Sequence, residues 1–232
     1  MMRFIVPSAV AETKSLLAKS RRTCYPLDMR EPSPPTDIDI IEKRTVFQGY
    51  FRVDAYTLRH TLFDGGWSGP MSREVFERGH AAALLPYDPI LRKFVLCEQF
   101  RVGAYAGGMD PWQLEVVAGI IEEGEAPETV VRRETEEEVG RTVLDLWPVQ
   151  RYLASPGGTS ETIYLYLGRI SAIGAGGVFG LPGEHENIRA TVMGEDELKN
   201  LMDAGRLTNA ATLIMAQWFF LNRERIRAKW KE

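Results

Sequence analysis

The chain has 232 residues, of which 44% are hydrophobic and 26% are charged, a mixture typical of a globular protein rather than a disordered one. Its 28 basic and 32 acidic side chains give a formal net charge of −4, so electrostatics favours neither a nucleic-acid partner nor an anionic membrane. We expect neither partner, and an anionic ligand would need a metal ion or a few arginines to hold it.

The two cysteines, Cys24 and Cys97, form neither a disulfide framework nor a CxxC motif, which favours a reducing, cytoplasmic location. The longest apolar run, residues 210–221, is interrupted by Gln217 and is too short to span about 30 Å of hydrocarbon. The first seven residues lack the apolar segment of a secretory signal. We therefore expect a cytoplasmic protein with no membrane role.

The first 36 residues are predicted to form a flexible extension, because the closely spaced Pro32, Pro34 and Pro35 cannot continue a helix or a central strand. A short helix within residues 9–19 is compatible with the pattern. Residues 45–62 are rich in aromatic and β-branched residues, which predicts antiparallel strands around Gly49. We assign residues 37–80 to an N-terminal β-sheet region and residues 81–232 to the main domain.

The main domain is predicted to mix strands with three helices. Strand patterns occupy residues 81–85, 94–99, 114–117, 150–154, 162–168 and 188–193, and the last two helices close the chain. The first helix spans residues 127–139, because Pro127 suits a first helical position and Gly140 suits a left-handed helix end. Strands mixed with a few helices, without a regular βαβ repeat, predict an α+β fold with a mixed sheet.

The predicted helix at residues 127–139 carries an unusual acidic face. At about 100° per residue, Glu134, Glu137 and Glu138 fall within one sector of about 100°, whereas Glu136 points nearly opposite. Like charges three and four residues apart destabilise a helix by about 0.2–0.5 kcal/mol each, and a cation would remove this repulsion. Oxygen ligands on one face suit Mg²⁺ or Mn²⁺. The helix alone is equally compatible with a solvated charge run.

The surrounding residues follow the pattern Gly-x5-Glu-x7-Arg-Glu-U-x-Glu-Glu-x-Gly-U, where U is a bulky aliphatic residue. The matching residues are Gly119, Glu125, Arg133, Glu134, Glu137, Glu138 and Gly140. In this spacing the sequence resembles the Nudix hydrolases. Thr135 and Arg141 stand where that pattern has aliphatic residues, a departure that concerns packing rather than chemistry.

From about residue 37 onward the chain resembles the bacterial ADP-ribose pyrophosphatases of that family. The segments that carry the resemblance are residues 73–80, 98–101, 114–119, 154–161, 184–189 and 209–218. The resemblance implies a Nudix-type α/β/α sandwich beside the N-terminal antiparallel sheet. It also implies hydrolysis of ADP-ribose to AMP and ribose 5-phosphate, with Mg²⁺ as cofactor and Mn²⁺ as a possible substitute.

The same resemblance implies a metal site and a general base. The implied metal ligands are the carbonyl of Ala118 and the carboxylates of Glu134, Glu138 and Glu186, with Glu137 as a further direct or water-mediated ligand. Glu125 and Arg133 are expected to pair with each other. Glu184 is implied as the base that activates water. Sequence alone does not decide between Glu184 and Glu186, and an ordinary acidic surface loop is the alternative for both.

Substrate contacts follow from the same matching positions. The adenine end is assigned to Tyr50, Phe51, Arg73 and Glu74, and the terminal ribose to Ser155, Pro156, Gly157 and Glu161. Arg101 would offer a fork to a phosphate oxygen, and Ile120 a backbone or apolar contact. The alternatives are core aromatic residues for Tyr50 and Phe51, and a plain hairpin connection for the Ser155 turn.

The resemblance further implies a homodimer in which the sheet of residues 37–80 reaches the partner subunit and lends it Tyr50, Phe51 and Arg73. The acidic motif handles only a diphosphate, so other conjugates remain as alternative substrates: ADP-glucose, GDP-mannose or NADH. A non-catalytic Nudix-like nucleotide-binding module is a further alternative. A decapping enzyme would require a basic groove that the net charge does not predict.

Overall fold

A computed structural model of the chain describes residues 37–181, 183 and 185–230, which belong to one compact unit. The predicted extension 1–36, with the possible helix at residues 9–19 and Cys24, lies outside the described residues. Glu184 also lies outside them. No helix within the described part of the chain is long and apolar enough to cross a membrane.

The N-terminal region forms a three-stranded antiparallel sheet in the order β1-β2-β3. The strands are β1 (Ile38–Gln48), β2 (Arg52–His60) and β3 (Met71–Glu77). The predicted antiparallel pair around Gly49 is confirmed, with the first strand beginning earlier than the sequence pattern indicated. Two register shifts in the β1–β2 pair, between Ile40 and Glu42 and between Thr45 and Phe47, interrupt its regular alternation.

The main domain contains an eight-stranded sheet. Its strands are β4 (His80–Asp88), β5 (Lys93–Phe100), β6 (Trp112–Glu115), β7 (Val117–Ile121), β8 (Asp145–Leu153), β9 (Thr162–Arg169), β10 (Gly177–Phe179) and β11 (Ile188–Gly194). The order is β10-β11-β5-β4-β9-β8, with β6 paired to β5 and β7 paired to β4. The β4–β9 pair is parallel and the other pairs are antiparallel, so the predicted mixed sheet is confirmed.

The prediction of one strand over residues 114–117 is wrong. The chain forms two strands there, because β6 pairs with β5 whereas β7 pairs with β4. At the break, the backbone N–H of Val116 donates to Oγ1 of Thr212 at 2.9 Å. The sequence pattern also did not reveal the short strand β10.

Within the described residues, four helices accompany the sheet: α1 (Val102–Ala106), α2 (Pro127–Val139), α3 (Glu195–Asp203) and α4 (Ala210–Lys229). The short α1 is the helix that the sequence did not predict. The bounds of α2 agree with the prediction. Gly140 ends this helix in the left-handed conformation, with φ of 62°, and its N–H donates to the carbonyl of Glu136. Asn209 caps α4, because its side chain accepts from the N–H of Thr212 at 3.0 Å.

Both faces of the large sheet are buried, as in an α/β/α sandwich. Successive strand residues point to opposite faces, and in β5 the buried Phe94 and Leu96 join a core cluster that includes Met215 and Phe219 of α4. The alternate residue Cys97 instead contacts Glu138 of α2. The helices α3 and α4 therefore cover one face, α2 covers the other, and the predicted architecture is confirmed.

The two departures from the Nudix pattern have structural explanations. Thr135 is fully buried in α2, where its hydroxyl donates to the carbonyl of Val131 at 2.5 Å. Arg141 lies just beyond the helix and donates to the carbonyls of Ile173 and Gly174 at 3.1 and 2.6 Å. The hydroxyl of Thr135 thus has its hydrogen-bond partner within the helix, and Arg141 links the end of α2 to a loop.

Candidate functional site

The acidic face of α2 lies directly against β7. At Gly119 of β7, a Cβ atom would lie 2.5 Å from Cγ of Glu134 and closer still to its carboxylate. Real Cβ atoms do not approach other atoms this closely, so any side chain at position 119 would displace Glu134. The glycine that opens the sequence motif is therefore the residue that leaves room for the carboxylate of Glu134.

Arg133 holds three carboxylates of the motif together. Its Nη1 donates to Glu134 at 2.8 Å and to Glu137 at 3.0 Å, and its Nε lies 3.5 Å from Glu125. The predicted pairing of Arg133 with Glu125 is thus present. A single guanidinium carries one positive charge against three carboxylates, so this part of the site keeps a surplus of negative charge.

Glu138 is the most deeply buried carboxylate of the motif, with 2% of its surface exposed. Its Oε2 accepts from the N–H of Ala118 at 3.2 Å and from the thiol of Cys97 at 3.3 Å, and both donors are neutral. Burial, with a contribution from the charge of Glu134, raises the pKa of Glu138 to about 8 despite these hydrogen bonds. The protein therefore buries a carboxylate whose charge is poorly compensated.

Glu134 is the electrostatic centre of the cluster. Burial raises its pKa, and the charges of Glu137 and Glu186 raise it further, against the opposing effect of Arg133. Glu186 belongs to the loop that precedes β11, so this loop approaches the acidic face of α2. Oε2 of Glu186 accepts from the N–H of Leu181 at 3.1 Å.

Gly180 allows the backbone to pass close to Glu186. Its φ is +105°, and a Cβ there would lie 2.6 Å from Cβ of Glu186. Glu184, the residue predicted to be the base, is outside the described residues. Of the two glutamates considered for that role, only Glu186 is described.

The chemical type of these donors, rather than their spacing in this structure, suits a hard divalent cation. Among the described residues, no three His, Cys, Asp or Glu side chains are grouped closely enough to hold a metal ion. The charge of Glu134 nevertheless acts on Glu138, and those of Glu137 and Glu186 act on Glu134. Carboxylate oxygens are the ligands that Mg²⁺ and Mn²⁺ prefer, and a cation among them would compensate the buried charge of Glu138.

Arg101 lies at the edge of this cluster, and its charge lowers the pKa of Glu138. Its Nε and Nη2 donate to the buried carboxylate of Glu115 at 2.7–3.2 Å, and Glu115 also accepts from Asn209 at 3.1 Å. Two of the three guanidinium nitrogens of the predicted phosphate ligand are thus directed to Glu115. The sequence analysis did not predict Glu115 as the partner of Arg101, because nothing in residues 98–101 indicates which carboxylate the arginine contacts.

A cavity of about 410 Å³ opens where the N-terminal sheet meets the main sheet. Its lining residues are Gln48, Tyr50, Phe51, Arg52, Glu77, Arg78, Gly79 and Ile120. Three predicted substrate residues, Tyr50, Phe51 and Ile120, thus come together. Tyr50 is 87% exposed, so the alternative that it is a core aromatic residue is wrong. Arg73 and Glu74 lie on the exposed part of β3 and do not line this cavity.

The turn that begins at Ser155 connects β8 to β9 and is a hairpin connection. The carbonyl of Ser155 accepts from the N–H groups of Gly158 and Thr159 at 3.0 Å each. The turn is also bound to β3, because the N–H of Phe76 donates to the carbonyl of Gly158 and Thr159 Oγ1 donates to the carbonyl of Phe76, both at 2.8 Å. At its end, the buried Glu161 forms an ion pair with Arg78 at 3.3 Å.

The fold is shared with a solved structure. The chain aligns with the crystal structure of an ADP compounds hydrolase with a TM-score of 0.62 and 19% identity. The alignment covers 87% of this chain and all of that one. At this identity the likeness shows the fold alone.

Sequence comparison identifies the family. The NUDIX domain family matches residues 77–212, more than half of the chain. The ADP-ribose pyrophosphatase of Escherichia coli K12 is 45% identical over 84% of this chain and 93% of its own length, and that of Haemophilus influenzae is 37% identical over 84% and 91%. The GDP-mannose pyrophosphatase of Cronobacter sakazakii is 31% identical over 78% and 94%. The chain therefore belongs to the Nudix hydrolase family.

Proposed function

We propose that this Nudix hydrolase cleaves ADP-ribose at its diphosphate bond, in a Mg²⁺-dependent reaction that gives AMP and ribose 5-phosphate. The observation that carries the proposal is the cluster of Glu134, Glu137, Glu138 and Glu186, in which the buried carboxylate of Glu138 accepts from neutral donors alone among the described residues. The relatives of 37–45% identity bear the name ADP-ribose pyrophosphatase, which supports this substrate over others.

The metal ligands are proposed to be Glu134, Glu138, Glu186 and the carbonyl of Ala118, with Glu137 bound directly or through a water. A diphosphate is anionic, so carboxylates alone would repel it. When bound, Mg²⁺ would neutralise charge on the phosphate oxygens and lower the pKa of the attacking water. Mn²⁺ accepts the same oxygen ligands and is the expected substitute.

The general base is proposed to be Glu184, which would take a proton from the attacking water. The charge of Glu186 acts on Glu134, and this proximity supports a ligand role for Glu186. Glu184 then remains as the loop carboxylate for proton transfer. A base on a loop between glycine-containing segments can approach the site when substrate is bound.

The cavity at the sheet junction is proposed to receive the adenine end. A volume of about 410 Å³ falls within the range of about 300–1,000 Å³ that is usual for small-molecule sites, and Tyr50, Phe51 and Ile120 supply aromatic and apolar surface. The terminal ribose is proposed to contact the turn of Ser155, Pro156, Gly157 and Glu161. Arg101 would bind a phosphate oxygen through Nη1 while Glu115 holds its other two nitrogens.

A homodimer formed through residues 37–80 is part of this proposal. The N-terminal region exposes large apolar side chains, namely Ile38, Ile40, Ile41 and Phe47 of β1 and Phe63 and Trp67 of the β2–β3 connection, and contact with a second subunit would bury them. Arg73 and Glu74, which do not line the cavity of their own chain, could then reach the partner's site. A cytoplasmic location is also proposed, supported by the free, buried thiol of Cys97.

A second candidate is hydrolysis of another nucleoside diphosphate conjugate. The relative from Cronobacter sakazakii bears the name GDP-mannose pyrophosphatase, and the acidic cluster itself has no contact that distinguishes one conjugate from another. This candidate would keep the metal and base assignments and discard those for adenine and ribose.

The test is phosphate release, coupled through a phosphatase, from ADP-ribose, ADP-glucose, GDP-mannose and NADH with and without Mg²⁺. We expect cleavage that depends on Mg²⁺ and is selective for ADP-ribose. Preference for another conjugate would reject the substrate assignment and retain the acidic site. Metal binding without cleavage of any conjugate would indicate a binding module instead.

A further inference from the structure

The ring of Phe179 in β10 packs on the C-terminal end of α2. A Cβ atom at Gly140 would lie 2.6 Å from Cε1 of Phe179 and 3.0 Å from its Cζ, so any side chain at position 140 would collide with this ring. Gly140 therefore has two functions, because it also ends the helix with a φ of 62°. Nothing in the proposed mechanism uses this contact.

Arg141 makes a second link between the end of α2 and the chain that leads into β10. Its Nη1 and Nη2 donate to the carbonyls of Ile173 and Gly174 at 3.1 and 2.6 Å. The Nudix pattern has an aliphatic residue at this position, and an aliphatic side chain could not donate these hydrogen bonds. The link therefore depends on the departure of this sequence from the pattern.

The loop that carries Glu186 begins directly after Phe179. Phe179 pairs with the fully buried Ile188, the first residue of β11 after the loop. Within this pair, a Cβ atom at Gly180 would lie 2.6 Å from Cβ of Glu186. The N–H of Leu181 donates to Oε2 of Glu186 at 3.1 Å, and its carbonyl accepts from the N–H of Glu186 at 3.4 Å. Glu186 is thus held beside the two residues that follow Phe179.

The helix α2 carries both the acidic face and the contact for Phe179. Glu134 precedes Gly140 by six residues, a separation of about 9 Å along the axis of a helix. The hydrogen bonds of the helix fix this separation. The charge of Glu186 acts on Glu134 from the loop. The position of Glu186 relative to Glu134 therefore depends on how the base of the loop packs on the end of α2.

We propose that Phe179 is a positioning residue, which together with Arg141 holds the loop of Glu186 at the acidic face of α2. The inference rests on the proposed function, because it takes Glu186 to be a metal ligand. A cation shared by Glu134 and Glu186 would otherwise have to order the loop as it binds, at a cost in affinity. Phe179 is assigned to neither metal nor substrate, so it acts through Glu186.

The test compares Phe179→Ala and Arg141→Gln with the wild-type protein. Val178→Ala is the matched control, because Val178 is on the same strand, is 67% exposed and points to the opposite face of the sheet. The Kd for Mn²⁺ is measured without substrate, from the electron paramagnetic resonance signal of the free ion. Values of kcat and KM for ADP-ribose are measured at a Mg²⁺ concentration that saturates the wild type, and all measurements are made well below the lowest Tm of the set.

We expect Phe179→Ala to raise the Kd for Mn²⁺ and to lower kcat by about 10–100-fold each, as for other residues that orient metal ligands. KM for ADP-ribose should change little, because Phe179 does not line the cavity at the sheet junction. Arg141→Gln should act in the same direction with a smaller effect, because the Phe179 contact remains.

A double-mutant cycle with Glu186→Gln tests whether Phe179 acts through Glu186. In the Glu186→Gln background, adding Phe179→Ala should change the Kd for Mn²⁺ by less than about twofold, because no ligand is left to position. Equal effects of Phe179→Ala in both backgrounds would overturn the proposal, since the residue would then support the fold rather than Glu186.

An unchanged Kd for Mn²⁺ in Phe179→Ala would also overturn the proposal, as would an equal increase in Val178→Ala or an unchanged Kd in Glu186→Gln. If Phe179→Ala does not fold, Phe179→Leu is judged by the same criteria. Wild-type protein that binds Mn²⁺ through Glu186 but cleaves no ADP-ribose would reject the proposed function alone, and the Kd for Mn²⁺ would still test Phe179.

Discussion

Two buried carboxylates, one in each sheet region, differ in how their charge is compensated. Asp54 of β2 is 1% exposed, accepts from the hydroxyl of Thr45 at 2.8 Å, and pairs with Lys43 at 3.2 Å and Arg52 at 3.1 Å. Burial opposes its ionisation, but these neighbours together hold the pKa of Asp54 below its ordinary value. Glu138 is buried to a similar extent, has neutral donors, and has its pKa raised.

The difference separates a structural carboxylate from one that we propose binds a metal ion. A buried charge is costly unless it is paired, so Asp54 carries its own cations and stabilises the small sheet. Glu195 of α3 is of the same kind, because it accepts from Tyr87 and pairs with Arg92 and Arg227. Among the described residues Glu138 forms no ion pair, although the charge of Arg101 lowers its pKa, and an external cation would complete its surroundings.

Replacing Glu138 by Gln should have the largest effect on activity. The substitution removes the charge while keeping the shape, so we expect kcat at saturating Mg²⁺ to fall by at least about a hundredfold, since loss of groups that merely support a metal ligand costs about 10–100-fold. Initial rates of phosphate release measure this. Glu136→Gln on the exposed face of the same helix is the control, and near wild-type turnover of Glu138→Gln would refute the metal assignment.

A methyl group at position 119 should also lower activity, because it would reach Glu134 of α2 from the facing strand β7. Gly119→Ala would place its Cβ on the carboxylate of Glu134, and we expect turnover to fall by about 10–100-fold. Gly69→Ala is the matched control, because a Cβ there meets no atom within 4 Å. Equal activity of the two variants would show that the position of Glu134 is unimportant.

In the metal-free protein, substitution of Asp54 should lower the thermal stability, whereas substitution of Glu138 should not. Asp54→Asn leaves Lys43 and Arg52 without their acceptor, so we expect its Tm to fall by several degrees. Because burial raises the pKa of Glu138 to about 8, the metal-free side chain is mostly protonated at neutral pH, and Glu138→Gln replaces one neutral group by another of the same shape. Its Tm in EDTA should therefore equal or exceed that of the wild type. Thermal unfolding followed by circular dichroism tests both, and a loss of Tm in Glu138→Gln would contradict the contrast.

Glu195 provides a pH test of the compensated type. Burial opposes its ionisation, but hydrogen bonds from Arg92 and Tyr87 and the charge of Arg227 hold its pKa below the ordinary value of 4.5. A lowered folded-state pKa contributes stability above about pH 4.5, and this contribution is lost as the pH falls through the folded-state value. We expect Glu195→Gln to cost about 3 kcal/mol of unfolding free energy at neutral pH.

Urea unfolding of the wild type and Glu195→Gln across pH 3–8 would measure this dependence. The difference between the two proteins should shrink as the pH falls below 4.5 and through the lowered folded-state pKa of Glu195. Lys199, on the exposed side of α3, forms an i,i+4 pair with Asp203 at 2.6 Å. Lys199→Gln therefore serves as the exposed-pair control and should change stability by less than about 1 kcal/mol.

The elements that the sequence predicted well depend on local signals. Pro127 and Gly140 bound α2 by their own backbone preferences, and the spacing of Glu134, Glu137 and Glu138 placed them on one face before any tertiary contact was known. The Nudix pattern lies entirely within residues 119–141, so a short stretch of chain specifies the acidic face.

The features that the sequence did not reveal depend on contacts between distant residues. The break between β6 and β7 involves Thr212, which is 96 positions from Val116. Glu115, which holds Arg101, is on the neighbouring strand β6. Arg78, just before β4, pairs with Glu161, just before β9. Such pairs join residues that are distant in sequence, so no local pattern could predict them, whereas the proposed metal ligands on α2 follow from local spacing.

The smallest effect is expected from deletion of residues 1–36. Both compared regions, the small sheet and the acidic cluster, lie entirely within residues 37–230, and the NUDIX match begins at residue 77. We therefore expect the truncated protein to keep wild-type KM, kcat and oligomeric state, measured by phosphate release and by light scattering after gel filtration. A change in kcat with the oligomer intact would assign the extension to the active site, whereas dissociation would assign it to the proposed interface between the N-terminal sheets. Dissociation would mean that the N-terminal sheet needs the extension, whereas a changed kcat alone would mean that the acidic site needs it.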